Sequence, residues 1–318
     1  MTSYFDISQS IDTTDTADFI PQVWALETVA AYKANLVMAA LVSLIPHVGK
    51  KGSVINIPAP TRGSAQSKSA NTVVSLITYS DTTGKSVTIN QHFHYARLLE
   101  DLAEIQSLPS IRRFFTDDAG YALAKQTDTS LLQLGATWGG GTAYSKAVIG
   151  SDGSTNWSQA GSGNGAALAD AGVRRVVQTF DDNDVPGRDR FLVIPPVEKK
   201  KLLGNPRYTE QAFVGEAGMG NSIRNGLVGD IYGLEVYVSS NCETVEGNDS
   251  TAYRAAVAFQ RDSLVLAEQL RPRVQEQYKL EALGTLMVAD CVYGVSTIRG
   301  DVSGEDGRGC KAIIVPST

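Results

Sequence analysis

The fold of this chain is decided by residues 50–95, which read KKGSVINIPAPTRGSAQSKSANTVVSLITYSDTTGKSVTINQHFHY. Residues 52–58 and 87–95 alternate apolar and polar side chains with the period of two that predicts half-buried strands. In the second strand one face holds Val87, Ile89, Phe93 and Tyr95, and the other holds Thr88, Asn90, His92 and His94. Residues 59–72 are mostly small and polar, so they cannot offset their ordering entropy by burial. We therefore expect a β-hairpin arm that needs another surface to lie on.

Composition places the chain among ordinary globular proteins. Of its 318 residues, 42% are hydrophobic and 19% are charged, which is sufficient for one large or two modest cores. No run of about 18 apolar residues predicts a membrane span, and residues 1–18 lack the features of a secretory signal, so we expect no membrane partner. Cys242, Cys291 and Cys310 form neither a C-x-x-C motif nor an even set, which predicts reduced structural thiols.

The charge distribution argues against a nucleic-acid-binding surface. The chain has 28 Lys and Arg against 34 Asp and Glu, a formal net charge of -6. Nucleic-acid binding instead relies on clustered basic side chains that release counterions. Residues 1–18 carry only acidic charges, and the basic run at 199–201 lies between two prolines and two leucines, which predicts a short surface helix.

Apolar residues at three- and four-residue steps predict helices. One is expected over about residues 21–44, a second over 96–105, and a long one that begins at Ser110 as its cap and ends at the glycines 139–141. The long helix would measure about 40 Å at 1.5 Å per residue, so it could form a spine. A further helix is predicted by the stripe of Val173, Val176, Val177 and Phe180.

Short apolar runs predict strands in the second half of the chain. They lie at residues 190–194, 234–238, 253–260, 283–295 and 312–315. Residues 142–165 are rich in Gly, Ser, Thr and Asn, which predicts a surface loop or a boundary between lobes. Six glycines between residues 215 and 233 predict a second loop-rich segment, and residues 299–309 predict a turn.

Motifs for catalysis or ligand binding are incomplete. Gly84-Lys85-Ser86 matches the end of a phosphate-binding loop, but Tyr79 occupies the first glycine position and a strand follows. Gly218-Met219-Gly220 lacks the third glycine of a dinucleotide fingerprint. His92 and His94 could ligate a metal, but no third ligand is apparent, so we interpret them as polar-face histidines paired across a sheet.

Two further sites are also unsupported. The remaining histidine, His47, comes without any nucleophile-elbow signature. Residues 181–184 resemble a calcium loop only superficially, and we interpret them as a helix end and turn. We therefore predict no catalytic, cofactor-binding or metal-binding residue and no cofactor.

Four segments in this order resemble tailed-phage major capsid proteins. They are FIPQVW at 19–24 with AYKANLV at 31–37, KGSVINIP at 51–58, GLVGDIYGLEV at 226–236, and DCVYGVSTIR at 290–299. Each segment is a hydrophobic pattern with few distinguishing residues, and the order of all four carries the resemblance. It extends over nearly the whole chain.

The resemblance implies an α+β tailed-phage capsid fold. That fold has an N-terminal arm, an extended β-hairpin loop, a peripheral lobe with a long spine helix, and an axial α/β lobe. On this chain the resemblance places the N-terminal arm and first helix at 1–49, the extended loop at 50–95, the peripheral lobe at 96–164, the axial lobe at 165–242, and C-terminal strands that rejoin both lobes at 243–318. The spine helix would run from about residue 111 to residue 135.

The resemblance also implies a structural, non-enzymatic function in a virion. Subunits would self-assemble as hexamers and pentamers into an icosahedral shell that encloses the double-stranded DNA of a tailed bacteriophage. The implied partners are a separate scaffolding protein, a portal and a decoration protein, with DNA held without sequence-specific binding. Assembly would take place in the host cytoplasm.

Four side chains are candidates for contacts between subunits: Arg62, Lys68, Lys85 and Trp24. The three basic side chains belong to the extended loop and could pair with carboxylates of the next subunit. Exposed ion pairs each contribute little, so the alternative is that these charges are simply solvated.

Two other classes of protein stay open at this point. A bacterial encapsulating-shell protein shares the architecture and would differ by a cargo-binding pocket near the N terminus. An α/β enzyme would hold its site in the glycine-rich residues 215–233, and it would need a cluster of titratable groups in a deep pocket. The sequence supplies no convincing cluster of that kind.

Overall fold

The computed structural model describes residues 36–49, 51–58, 63–77, 84–101, 111–151, 154–205, 229–298 and 309–317. Within these ranges the α-helices are α1 (Met38–Leu41), α2 (Ile111–Gly140), α3 (Asp170–Asp182) and α4 (Pro196–Leu203). None of these four helices combines the length and apolar character that crossing a membrane requires.

The strands of the described residues form three sheets. They are β1 (Ser43–Pro46), β2 (Val54–Ile57), β3 (Lys85–Thr88), β4 (Gln91–Glu100), β5 (Val148–Ile149), β6 (Arg190–Ile194), β7 (Asp230–Ile231), β8 (Leu234–Val238), β9 (Thr244–Glu246), β10 (Ala252–Gln260), β11 (Leu264–Lys279), β12 (Gly284–Thr297) and β13 (Cys310–Pro316). A seven-stranded sheet has the order β5-β13-β10-β6-β8-β7, with β9 paired to β10. A four-stranded sheet has the order β1-β11-β12-β4, and β2 pairs with β3 alone. This mixture confirms the predicted α+β class.

The centre of the seven-stranded sheet is buried on both faces. Ala255, Val257 and Phe259 of β10 belong to the core that α2 shares. The alternate residues Ala256 and Ala258 belong to a second core that includes the apolar stripes of α3 and α4. All five residues of β6 are buried as well. Alternation along one strand therefore supplies two cores at once, because successive side chains point to opposite faces.

The long helix α2 packs against strands of both larger sheets, as the predicted spine requires. Two of its glycines allow the close approach. A Cβ at Gly135 would lie 2.9 Å from Val257 Cγ1, and a Cβ at Gly139 would lie 2.6 Å from the backbone nitrogen of Ala312. No side chain fits at either place, so the glycines near the end of α2 set its distance from the sheet.

A buried carboxylate on α2 connects three parts of the fold. Asp128 is almost completely buried. Its Oδ1 accepts hydrogen bonds from the backbone nitrogens of Val37 (3.0 Å) and Met38 (2.9 Å), and its Oδ2 accepts one from Asn241 Nδ2 (3.0 Å). The carboxylate thereby satisfies N–H groups at the start of α1 that have no partner within the helix.

Two helix predictions are wrong in part, although α1 lies within the range of the first. The helix expected over 21–44 includes Ser43 and Leu44, which instead lie in β1, paired in parallel with β11; residues 21–35 lie outside the described residues. The helix expected over 96–105 begins with residues that continue β4 and pair with β12. Leu98 is half exposed and Leu99 is buried, so the alternation of a strand holds there.

Most other element predictions in the described residues are confirmed, but the loop expected over 142–165 contains the buried strand β5, which pairs with β13. The strand expected over 87–95 is divided into β3 and β4 at residues 89–90, and its predicted alternation of burial holds. The basic run lies in α4, and α3 ends at Asp182 as expected. The 16-residue strand β11 was not predicted. The expected loops at 215–228 and 299–308, and Ser110 as a cap, lie outside the described residues.

The C-terminal part of the chain contributes to both larger sheets. Strands β10 and β13 lie in the seven-stranded sheet, and β11 and β12 lie in the four-stranded sheet. The predicted domain boundaries at 49, 95, 164 and 242 stay a prediction.

Candidate assembly surface

The hairpin that starts with β2 and returns through β3 is here called the arm. Its described residues are 51–58, 63–77 and 84–88. Its base is a regular antiparallel pair that runs from Val54 opposite Thr88 to Ile57 opposite Lys85. The backbone nitrogen of Ile89 also donates to the Ser53 carbonyl at 2.7 Å. The predicted β-hairpin is thus confirmed at its base.

The base of the arm is anchored to the four-stranded sheet by a small core of its own. Val87 and Ile89 are buried against Val265 and Ala267 of β11. The chain passes so close to β12 that a Cβ at Gly294 would collide with the carbonyl oxygen of Thr88 and lie 2.9 Å from Ile89 Cα. Glycine inside a strand is typical of such close backbone approach.

The outer part of the arm, residues 63–77, is here called the tip. Every described residue of the tip is exposed, and none belongs to a strand ladder. It turns at residues 69–72, where Thr72 Oγ1 donates to the Ser69 carbonyl at 2.7 Å and Asn71 has a φ of 60°. Ser75 Oγ donates to Gln66 Oε1, which joins the two halves of the tip.

The returning half of the tip carries large apolar side chains in full contact with solvent. Val73 is 95% exposed and Leu76 is 90% exposed, and Val74 and Ile77 are each more than half exposed. A contiguous exposed apolar segment of this kind marks an interaction site. The sequence prediction of a polar excursion missed these residues, because it ended at residue 72, although β-branched residues within a polar loop are a usable signal.

The candidate contact residues lie far apart on the arm. Lys68 is exposed on the tip, close to the turn. Lys85 lies at the base in β3, opposite Ile57, and is partly buried. Arg62 and Trp24 lie outside the described residues. A contact with another subunit stays a prediction for all four residues.

Next to the arm, an acidic side chain on β12 holds a small cluster of charges. Asp290 accepts hydrogen bonds from Arg273 Nε at 2.9 Å and Nη2 at 3.2 Å, and His92 Nε2 lies 3.4 Å from its Oδ2. The hydrogen bonds from Arg273, with a smaller contribution from His92, hold the pKa of Asp290 below its usual value against the opposing effect of burial. His94 lies directly opposite Asp290 in the strand pairing.

These contacts confirm the interpretation of His92 as a histidine paired across a sheet. Within the described ranges, no three His, Cys, Asp or Glu side chains come together as a metal-binding group. Asp290 was not singled out from the sequence, because a single acidic residue in an apolar run does not reveal which strand lies beside it.

The motifs weighed for catalysis have structural positions where they are described. Lys85 and Ser86 lie in β3, so Gly84 leads into a strand and not into the helix that a phosphate-binding loop requires. Residues 215–228 lie outside the described residues. All three cysteines are buried and free, as predicted, and burial raises the pKa of Cys242 and of Cys310 to about 12. Thiols with such a pKa are poor nucleophiles.

The architecture defines a class of protein: a subunit with a long spine helix between two sheets and an anchored arm whose tip leaves the body. Solved structures of the same fold come from phage heads. With Mycobacterium phage Che8 the chain shares 20% identity at a TM-score of 0.71, covering 93% of this chain and 97% of that one. With the head of Helicobacter pylori bacteriophage KHP40 it shares 11% identity at a TM-score of 0.70, covering 97% and 98%. With the capsid of cyanophage P-SCSP1u it shares 16% identity at 0.69, covering 95% and 94%.

Residues 100–303 match the family described as phage capsid protein. The match covers more than half of the sequence, so the chain belongs to the phage capsid protein family. It therefore has the structural role of a major capsid protein in a virion. No curated protein matches the chain.

Proposed function

We propose that copies of this chain assemble as hexamers and pentamers into a closed icosahedral shell, and that the arm of each subunit binds the next subunit. One observation carries the proposal: the tip presents Val73 and Leu76 almost fully to solvent, while the base of the same arm is anchored in a buried cluster. An anchored base with an exposed apolar tip is suited to hold a neighbour.

Burial gives the scale of the expected contact. Removing a Val or Leu side chain from water contributes roughly 1.5–3 kcal/mol before the entropic costs of association are subtracted. One arm therefore stabilises one contact modestly. A closed shell repeats the contact many times, so modest interfaces hold it together cooperatively.

The remaining partners follow from the family role and the charge. The proposed shell encloses double-stranded DNA without sequence-specific binding, which agrees with a net charge of -6. A separate scaffolding protein, a portal and a decoration protein are the proposed protein partners. Assembly takes place in the host cytoplasm, and we propose no catalytic site, cofactor or metal.

Deletion of residues 60–71 tests the role of the arm. We expect a folded subunit, because none of the deleted residues that the structure describes belongs to either main core. We expect no shells from it. Negative-stain microscopy of the concentrated protein, alone and with a candidate scaffold, checks assembly, and a thermal unfolding curve checks folding.

Two results would count against the proposal. Normal shells from the deleted protein would remove residues 60–71 from the assembly mechanism. A wild-type chain that stays a monodisperse monomer or dimer under all conditions would contradict self-assembly.

A further inference from the structure

Among the backbone edges that have no partner in the described residues, two could pair with each other between copies of the chain. The first belongs to the returning half of the tip, residues 72–77, which reads TVVSLI and lies outside every helix and every strand ladder. The second belongs to β4, which ends the strand order β1-β11-β12-β4 and pairs only with β12 in the described chain. The subunit thus has a segment with the composition of a strand that pairs with no sheet, and a sheet with an open edge at β4.

The open edge of β4 is long and regular. Its ten residues pair with β12 without a bulge, from Gln91 opposite Tyr293 to Glu100 opposite Gly284. The backbone groups on the other side of the strand point away from β12 and are available to a second strand. Native proteins usually shorten, twist or cover an edge of this length, because it is a template for pairing with another chain.

The other sheet edges in the described structure are less suited to a six-residue segment. The edge strand β1 has four residues and ends in Pro46, which cannot donate a backbone hydrogen bond. The edge strands β5 and β7 of the seven-stranded sheet have two residues each. The second half of β11 is also open on the side away from β12 in the described residues, but its pairing with β12 is irregular as far as Arg273. Its regular part, residues 273–279, is shorter than the ten residues of β4.

We propose that residues 72–77 of one subunit add as a strand to the open edge of β4 in a second copy of the chain. This inference rests on the proposed function and names the receiving surface. Main-chain hydrogen bonds hold the added strand, in the manner of β-strand addition to a sheet edge. Val73 and Leu76 then lie on opposite faces of the enlarged sheet, and each loses part of its exposure to the neighbouring β4 side chains.

Charge selects the antiparallel direction. Lys68 is the only charged side chain between residues 63 and 77, and it lies beside the turn from which residues 72–77 return. In an antiparallel pair the turn lies at the end of β4 that carries Glu100 and Asp101, so Lys68 meets two carboxylates. In a parallel pair Lys68 would lie near Arg273, His92 and His94, whose neighbouring carboxylate, Asp290, already accepts two hydrogen bonds from Arg273. Opposite charges near one another favour the first arrangement.

Disulfide crosslinking in assembled shells tests the pairing. Val73→Cys is combined with Leu98→Cys, Ala96→Cys or His94→Cys, and Ile77→Cys with the same three. For the antiparallel pair we expect Val73→Cys to crosslink best near residue 98 and Ile77→Cys best near residue 94. These positions are about 13 Å apart along the strand at 3.3 Å per residue, which is too far for one cysteine to reach both. The natural cysteines do not compete, because all three are buried.

A charge exchange tests the direction independently. Lys68→Glu is expected to raise the subunit concentration needed for assembly by about fivefold, the scale of one exposed ion pair. Adding Glu100→Lys to the same chain is expected to restore most of the loss. Ser67→Glu without any change at residue 100 serves as the control for added acidic charge on the tip.

The results separate this inference from the proposed function. Shells that form normally but crosslink at none of the β4 positions would overturn the strand addition and leave self-assembly intact. A crosslinking pattern with the preferences of Val73→Cys and Ile77→Cys reversed would overturn the antiparallel direction. A wild-type chain that forms no shells would contradict the proposed function itself.

Discussion

The strand β10 and the returning half of the tip both carry apolar side chains, but their surroundings are opposite. The apolar residues 255–259 of β10 are buried on both faces between two cores, whereas Val73 and Leu76 of the tip face solvent. Composition alone therefore does not determine burial within a subunit. The comparison shows that β10 supplies free energy to folding, while the tip keeps its apolar surface for a partner.

The largest expected effect is on the free energy of unfolding and comes from a substitution in β10. Phe259 of β10 is fully buried, with its ring centroid 5.7 Å from that of Phe191. Phe259→Ala is expected to lower the free energy of unfolding by about 3–5 kcal/mol, because it removes packed atoms and leaves a cavity. Urea denaturation measures the loss. A change below about 1 kcal/mol would mean that β10 is not the central core strand.

The next effect concerns the anchor between the arm and the body. Gly294→Ala is expected to destabilise the subunit by about 1–3 kcal/mol, since the new Cβ collides with the backbone at Thr88. Gly120→Ala is the matched control, because Gly120 lies in α2 with open space around its Cβ position. That change is expected to stabilise by about 0.5–1 kcal/mol. Thermal unfolding of both variants checks the opposite signs, and equal signs would contradict the close contact.

The tip itself should affect assembly without affecting folding. A Val73→Ser, Leu76→Ser double variant is expected to unfold within about 0.5 kcal/mol of wild type, because both side chains are exposed. Its shells should need at least about ten times more subunit, because apolar burial between copies is lost. Light scattering against subunit concentration measures this. The Ser64→Ala, Ser67→Ala variant is the control. Equal assembly of the two variants would contradict the role of Val73 and Leu76 in binding a partner.

The smallest expected effect is a pH dependence at the sheet beside the arm. The lowered pKa of Asp290 means that its contribution to stability is present above its usual value of 3.8 and is lost as the pH falls through the folded-state pKa. Between pH 5 and pH 3, wild type should therefore lose more stability than Asp290→Asn. Urea midpoints at the two pH values measure the difference. Arg273→Gln should behave like Asp290→Asn, and identical losses in all three proteins would contradict the ion pair.

The sequence predicts best those elements whose pattern agrees with their burial. The strand β6 and the stripe of α3 were predicted because each buries one continuous set of apolar residues. The strand β11 was missed because its second half, from residue 271, is exposed and mostly polar, so no alternation appears. Its pairing with β12 keeps it extended. That information lies in another part of the chain.

The helix expected over 96–105 failed for a related reason. Leu98, Leu99 and Leu102 have a spacing that fits one side of a helix as well as a strand, and the pairing with β12 decides in favour of the strand for the described residues. The arm was predicted as an extended β-hairpin loop, and its base is confirmed by the pairing of β2 with β3. Its apolar residues 73–77 and the contact at Gly294 were not predicted, because exposure and backbone approach depend on tertiary structure.

The direct connection between the arm and β4 has a mechanical consequence. Only residues 89 and 90 separate β3 from β4, and β4 is held to β12 along its full length of ten residues. A pull on the arm along the axis of β4 would therefore reach β4 directly. A strand pulled in this direction loads its hydrogen bonds together, in shear, and does not open them one after another. The attachment of the arm is thus arranged to resist tearing.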